Sequence, residues 1–446
     1  MGIEAKIKME RGAKIKMGKM LYKGKFVFND SILQGTILLE NEKISEIHGP
    51  AYSTDADVVL DYQTQPQVVA IPGLIDPHTH FRGFNLSYKE DECTGTRGAV
   101  KGGCTTIVEM PNTQPKMDRI QTIYKKLKEY EKKSFVDYGV YAGVPSSIEN
   151  LEEILEHFGD IMGFKIFPAD YSNPCLKATL NGAYDSNALV ILHAEDPDLT
   201  QECETPGERW KVRTIESVLS AINKIYAIAY PKVPRMHLAH ASSAEEVLEA
   251  KRHNYTVETI PHYLLLDSET ERKLGSFAKI NPPLRPQTVV QQLVEVLKQG
   301  GIDAIGSDHA PHTVEEKSAP FIEAPSGVPG IEVTLPLMLT MVNWGWLTLP
   351  QVVRLTSTNP ASILGLERVG KIAPGYVANL TIVDLKAEGV ILGEKFESKC
   401  KHTPFENFKH VGSPVTTILH GDIVYRDGEI FAPGHTLNVS KLKKQR

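Results

Sequence analysis

Eight apolar runs recur through the middle of this 446-residue chain, near 68 to 75, 104 to 110, 138 to 144, 163 to 167, 189 to 193, 235 to 239, 255 to 260 and 302 to 306. Most are separated by amphipathic segments such as RIQTIYKKLKEYEKK (119 to 133) and SIENLEEILEHF (147 to 158), whose apolar residues repeat at three and four. Short apolar runs alternating with helical periodicity predict parallel strands joined by helices. Eight such units in about 300 residues fit an α/β fold of the closed (β/α)₈ barrel type, a TIM-like barrel. A doubly wound open sheet is the structural rival, since periodicity does not show closure.

The two ends of the chain read differently. Residues 20 to 67 (KFVFND, GTILLENEKISEIHG, ADVVLDY) alternate apolar and polar residues between turn signals, as antiparallel hairpins do. ANLTIVDL (378 to 385) and TTILHGDIVYRDGEI (416 to 430), with its Asp427-Gly428 turn, repeat that style. Three parts are therefore expected: a basic extension over 1 to 19, a small β-sandwich shared by 20 to 67 and 370 to 440, and a barrel over 68 to 369. The extension holds six Lys or Arg and repeats AKIKM at 5 to 9 and 13 to 17; no function is assigned to it.

Net charge of −6 offers no basic field to collect nucleic acid. Five cysteines, widely spaced and without a Cys-x-x-Cys pair, read as the reduced thiols of a cytosolic protein. No apolar stretch reaches membrane-spanning length and the N-terminus lacks an apolar signal core, so a cytoplasmic protein with no membrane partner is expected.

Chemistry gathers at the ends of the runs. Asp-Pro-His-Thr-His-Phe-Arg (76 to 82) follows the first, and residues two apart in an extended chain face the same side, so His78 and His80 can converge on one metal ion. Lys165 in GFKIFP, His193 in VILHAE, His240 in MHLAHAS and Asp308 in AIGSDHAPH lie at the ends of later runs. In a barrel these ends form one mouth, where active sites sit. A lone buried histidine is usually structural, and an isolated lysine usually snorkels or pairs; common placement argues for a site.

Lys165 is the exceptional member, because an ammonium is repelled by a divalent cation and has no lone pair. Buried beside metal it should lose its proton, and the neutral amine can add carbon dioxide to become a carbamate able to bridge two metals. Two metals about 3.5 to 4 Å apart would share and acidify a water for attack on a carbonyl carbon. Asp308 would be a ligand and also the base that moves the proton to the departing nitrogen. Zinc suits mixed imidazole and oxygen donors, with manganese or cobalt as alternatives.

These residues, in this order, resemble the amidohydrolase superfamily, and within it the long-chain dihydroorotase family. The resemblance spans roughly 68 to 430 and is carried by DPHTHFR, KEDECTGTRGAVKGGCTTIVEMPNT, HAED, INPPLR and SDHAPHTVEEK. It implies two zinc ions per subunit bridged by carbamylated Lys165, with His78, His80 and Asp308 on one ion and His193 and His240 on the other. It also implies that Arg82, Asn112 and His312 grip a substrate carboxylate, that Asn281 lies by the substrate ring, and that dihydroorotate and N-carbamoyl-L-aspartate interconvert. Arg82 offers a planar fork suited to a carboxylate. Glu258 in VETIPH is expected to contact a metal or orient a ligand. Candidate assemblies are a homo-oligomer or a complex with aspartate transcarbamoylase. Two departures stand out: Gly83-Phe84-Asn85 where the family commonly has Glu-Pro-Gly, and Ala239 where many relatives place a cysteine before His240.

The rivals are another cyclic amidase, such as an allantoinase, hydantoinase or dihydropyrimidinase, and a non-catalytic scaffold relative. The first would lack the carboxylate grip; the second would lack metal ligands. The segment VTLPLMLTMVNWGWL (333 to 347) is read as a barrel helix before a subunit contact, and 168 to 175 as a candidate lid.

Overall fold

The computed structural model describes residues 18 to 444. The expected basic extension lies almost entirely outside them, and the chain is already in a strand at Lys19. From there β1 (Lys19–Phe28), β2 (Ser31–Glu40) and β3 (Lys43–His48) form a meander, followed by β4 (Val58–Asp61) and β5 (Val68–Pro72). The turns between β1, β2 and β3 are tight, with Asn29, Asn41 and Glu42 all at positive φ, as hairpins whose twist matches the strands require.

Eight strands then follow at intervals: β6 (Leu74–Thr79), β7 (Cys104–Glu109), β8 (Asp137–Gly143), β9 (Gly163–Ile166), β10 (Leu189–Leu192), β11 (Arg235–Leu238), β12 (Thr256–Thr259) and β13 (Ala304–Ile305). Each lies parallel to the next in chain order. A parallel bridge between Thr79 and His309 joins the last to the first, with the His80 N–H donating to the His309 carbonyl at 2.9 Å. The sheet is therefore closed, which removes the open-sheet rival.

Helices cover the barrel where the amphipathic segments predicted them. Ile120–Lys133 buries Ile123 and Tyr130, and Ile148–Glu156 starts at Ser147, whose hydroxyl accepts from the Asn150 N–H. Thr334–Asn343 has its first eight residues buried and lies on the C-terminal part of the sheet, where the Val411 N–H donates to Thr340 Oγ1 at 3.0 Å. It is a wall of the fold, as its all-round apolar character requires. Among the described residues no helix is long and apolar enough to cross a membrane.

The chain returns through β14 (Leu380–Val390), β15 (Lys409–Leu419), β16 (Asp422–Arg426) and β17 (Glu429–Ile430). These join β1 to β5 in one nine-stranded sheet, and Tyr22, Phe26, Ile37, Leu380, Ile418 and Ile423 share one core. Neither end can bury its apolar face alone; each supplies half of the layer the other needs.

Two expectations are corrected. The end sheet is mixed, because β1 runs parallel to β4 and β5 while pairing antiparallel with β2. The run from 68 to 75 is two strands: β5 pairs with β1 and β14 in the end sheet, and only after Gly73 does β6 enter the barrel. At Gly73 an added Cβ would drive into the Thr105 side chain, so the changeover needs a residue with none. Continuous apolarity hid the break because both strands are buried throughout.

Candidate active site

The closed barrel puts the ends of its strands on one rim. His78 lies in β6 and His80 just beyond it; Lys165 lies in β9; His193, His240 and Asp308 follow β10, β11 and β13; Glu258 lies in β12. Arg82, His240 and Asp308 hold φ of +60, +37 and +43°, a region that costs a non-glycine residue about 1 to 2 kcal/mol. Such outliers persist only where the surroundings enforce them, and here all three turn side chains into the mouth.

The histidines are oriented from behind. His78 Nδ1 donates to Glu258 Oε1, and the other Glu258 oxygen lies 3.2 Å from His237 Nε2. His80 Nδ1 donates to Asn112 Oδ1 at 2.6 Å. Both rings therefore present Nε2 forward, 3.3 Å from each other and 3.4 and 3.1 Å from Asp308 Oδ1. His193 Nε2 bonds Glu195 at 2.8 Å, and the Arg213 fork holds Glu195 through bonds of 2.9 and 2.7 Å. Carboxylate or amide groups that take one ring nitrogen and leave the other forward are how metal-binding histidines are held.

His78, His80 and Asp308 bring three donor atoms within 4.8 Å of one another. His240 connects this group to a second one: its ring is 5.2 Å from that of His78 and 4.5 Å from that of His193. Lys165 is fully buried, and its Nζ has no hydrogen-bond partner; His240 Nδ1 is likewise buried and unpartnered. Burial lowers the Lys165 amine to about 8, although Glu258 and Asp308 pull the other way. Burial and then Lys165 lower His78 to about 4. Burial alone would raise Asp308, but His78, His80 and His240 hold its carboxyl well below the carboxylate range. Glu258 is held low in the same way by His78 and His237.

Four imidazoles, a carboxylate and a buried amine without a partner suit divalent metal. Without one, two buried polar atoms are left unpaired, a state that costs about 1 to 3 kcal/mol each.

A cavity of about 360 Å³ opens in front of this cluster, lined also by Arg82, Asn112, Asn281 and His312. Arg82 Nε is buried and unpartnered, and Arg82 Nη2 stands 3.3 Å from His312 Nε2. Lys89 Nζ donates to His312 Nδ1 at 3.2 Å, so the His312 Nε2–H faces the Ser326 carbonyl at 3.1 Å. The Asn281 Oδ1 accepts from Arg209 and from Ser326 Oγ, which leaves its amide donors to the cavity. Asn112 likewise spends its oxygen on His80 and keeps its N–H groups. The result is a wall of hydrogen-bond donors lining the same cavity as the histidines.

The fold thus brings together every residue singled out from sequence. Sequence reading missed His237, Glu195, Arg213, Lys89 and Ser326. Glu195 lies within HAED and Arg213 in no quoted motif, yet only their pairing gives them a role, and nothing in their spacing reveals it. Residues Pro168–Ser172 form a short 3₁₀ turn beside the cavity, to which Pro168 contributes.

Residues 69 to 424 match the model of the amidohydrolase family. The chain is similar to a dihydroorotase of Methanosphaera stadtmanae, 36% identical over 412 residues, covering 89% of this chain and 94% of the relative. It is similar to that of Pyrococcus horikoshii at 33% identity, covering 91% and 92%. Among solved structures it resembles the L-hydantoinase of Arthrobacter aurescens, with a TM-score of 0.85, 26% identity and coverage of 93% and 97%. The dihydropyrimidinase of Brevibacillus agri gives a TM-score of 0.84, 26% identity and coverage of 96% and 100%.

Proposed function

Because the chain belongs to the amidohydrolase family, we propose that it is a dihydroorotase, opening the six-membered ring of dihydroorotate to N-carbamoyl-L-aspartate and closing it again. The observation that carries this reading is the pairing of one histidine-rich cluster with one wall of hydrogen-bond donors in a single cavity.

His78, His80 and Asp308 would hold one zinc ion and His193 and His240 a second, with Lys165 as its carbamate between them. The unpartnered Lys165 amine supports that assignment, since a neutral amine is the form that adds carbon dioxide. Two zinc ions bound there supply Lewis acidity toward a carbonyl and a water acidified toward neutral pH. Glu258 and Glu195 fix the ring tautomers from behind.

Arg82, Asn112 and His312 hold the substrate carboxylate, and Asn281 borders the ring. In hydrolysis Asp308 accepts the proton of the attacking water and delivers it to the ring nitrogen as the amide bond breaks. In synthesis Asp308 takes a proton from the carbamoyl nitrogen as that nitrogen closes on the side-chain carboxyl, and passes it to the departing carboxyl oxygen, which leaves as water. We place the enzyme in the cytoplasm on its scattered free thiols. A homo-oligomer or a complex with aspartate transcarbamoylase are the assemblies to test, by light scattering with and without the transcarbamoylase.

A second reading, a hydantoinase or dihydropyrimidinase, is favoured by the structural neighbours alone. The deciding experiment is a side-by-side assay of zinc-loaded enzyme with dihydroorotate, allantoin, hydantoin and dihydrouracil. Turnover of dihydroorotate alone is expected; turnover confined to the uncharged rings would replace the reading. A scaffold role is disfavoured by the complete ligand set, and inert zinc-loaded protein would reinstate it.

A further inference from the structure

A second histidine cluster lies at the opposite end of the barrel. Asp137 opens β8 and so sits on the floor, at the N-terminal ends of the strands. It is fully buried and accepts from three sides: His420 Nε2 at 2.8 Å, the Leu437 N–H at 2.9 Å and Asn379 Nδ2 at 3.1 Å. His420, in the turn between β15 and β16, has its ring 4.6 Å from that of His435 and tilted 32° to it, and His435 Nε2 stands 3.6 Å from Glu42 Oε2. One donor atom from each of Glu42, His420 and His435 falls within 4.8 Å of the others, the same clustering that His78, His80 and Asp308 show in the mouth.

The chemistry of the trio matches its geometry. With Nε2 committed to Asp137, His420 has Nδ1 as its remaining donor, and a carboxylate behind an imidazole fixes the tautomer and raises its basicity toward a metal. Two imidazoles and a carboxylate are a borderline donor set that suits a tetrahedral zinc ion, with a fourth position open to water. Both turn residues are in the left-handed region, Glu42 at φ +66° and His420 at φ +52°, in tight turns where Asn or Gly is favoured. Side chains that carry donors therefore occupy positions where the backbone alone would select other residues.

We propose that Glu42, His420 and His435 form a structural zinc site that clamps the end sheet and the C-terminal segment to the barrel floor. The three ligands come from three separate segments: the β2–β3 turn, the β15–β16 turn and the stretch before Leu437. Through Asp137 the same site reaches the first residue of a barrel strand. The clamp acts apart from the reaction, being on the opposite face from the mouth, and stands or falls independently of the substrate assignment.

The test uses the full chain, dialysed to equilibrium against micromolar zinc and analysed for metal by mass spectrometry. His435→Ala and Glu42→Gln, both at exposed positions, are each expected to hold about one zinc per chain fewer than wild type, and the double variant no fewer than either. All should turn over substrate at the wild-type rate, while zinc raises the melting temperature of the wild type more than that of the variants. A crystal grown with zinc should show an anomalous peak between the three side chains. Equal zinc content in wild type and variants, or a peak elsewhere with none at the trio, overturns the clamp.

Discussion

The mouth and the floor of the barrel are built from the same eight strands, yet they treat polar groups in opposite ways. At the floor, buried Asp137 meets three donors. At the mouth, the Lys165 amine, His240 Nδ1 and Arg82 Nε are buried without partners. Buried polar atoms without partners are costs; a buried carboxylate that meets its donors is a support. The difference teaches that stability in this fold is concentrated where the strands begin, and reactivity where they end, as expected for barrel enzymes.

The sharpest way to break this contrast is at the mouth. Lys165→Ala and Asp308→Ala should each lower kcat/KM for dihydroorotate by more than about a hundredfold. Lys165→Ala should not lower the melting temperature of metal-free protein, because it removes an amine buried without a partner, whereas Asp308→Ala removes a carboxylate that His78, His80 and His240 stabilise and should lower it. Short carboxylic acids should restore part of the Lys165→Ala activity; full activity without them would remove the bridging role.

The converse holds at the floor. Asp137→Ala strands three donors and should destabilise by about 3 kcal/mol or more, measured by urea unfolding, with KM unchanged. If that variant were as stable as wild type but lost activity, the division between the two ends would be wrong.

Smaller effects refine the mouth. Arg82→Lys keeps the charge but loses the planar fork, and should raise KM for dihydroorotate about tenfold. Equal KM for the variant and the wild type would show that the carboxylate is held elsewhere.

The least effect is expected at His402, whose Nε2 donates to the His312 carbonyl at 3.3 Å. Burial, and then Lys317, lower it to about 4. The folded state thus favours the neutral ring, while the unfolded chain takes up a proton near 6.5. Its contribution is therefore complete above that value and is lost as pH falls from 6.5 toward 4. His402→Gln should flatten this part of the pH–stability curve, and an unaltered curve would remove His402 as its source.

Much of this was readable from the chain alone, and particular residues show why. His78 and His80 were legible because two-residue spacing after an apolar run has one meaning in a strand, and Lys165 because a lysine ending an apolar run is chemically out of place. The eight runs gave the barrel, since each run overlaps one barrel strand. The changeover at Gly73 was not legible, because apolar residues do not record which sheet they serve. His237 and Glu195 were also missed: a residue that orients another is defined by a contact across the fold, and Glu258 and His78 are separated by 180 positions.

The Gly73 junction carries a mechanical implication. β5 is gripped by β1 and β14 of the end sheet, and within two residues of its last position the same backbone has become the barrel strand that bears His78. The His78–His80 pair thus hangs from a beam anchored in material donated by both ends of the described chain. Trimming β14, some three hundred positions downstream of that pair, would loosen the beam's mounting and tilt the reactive rings, although none of the deleted atoms lines the reaction chamber.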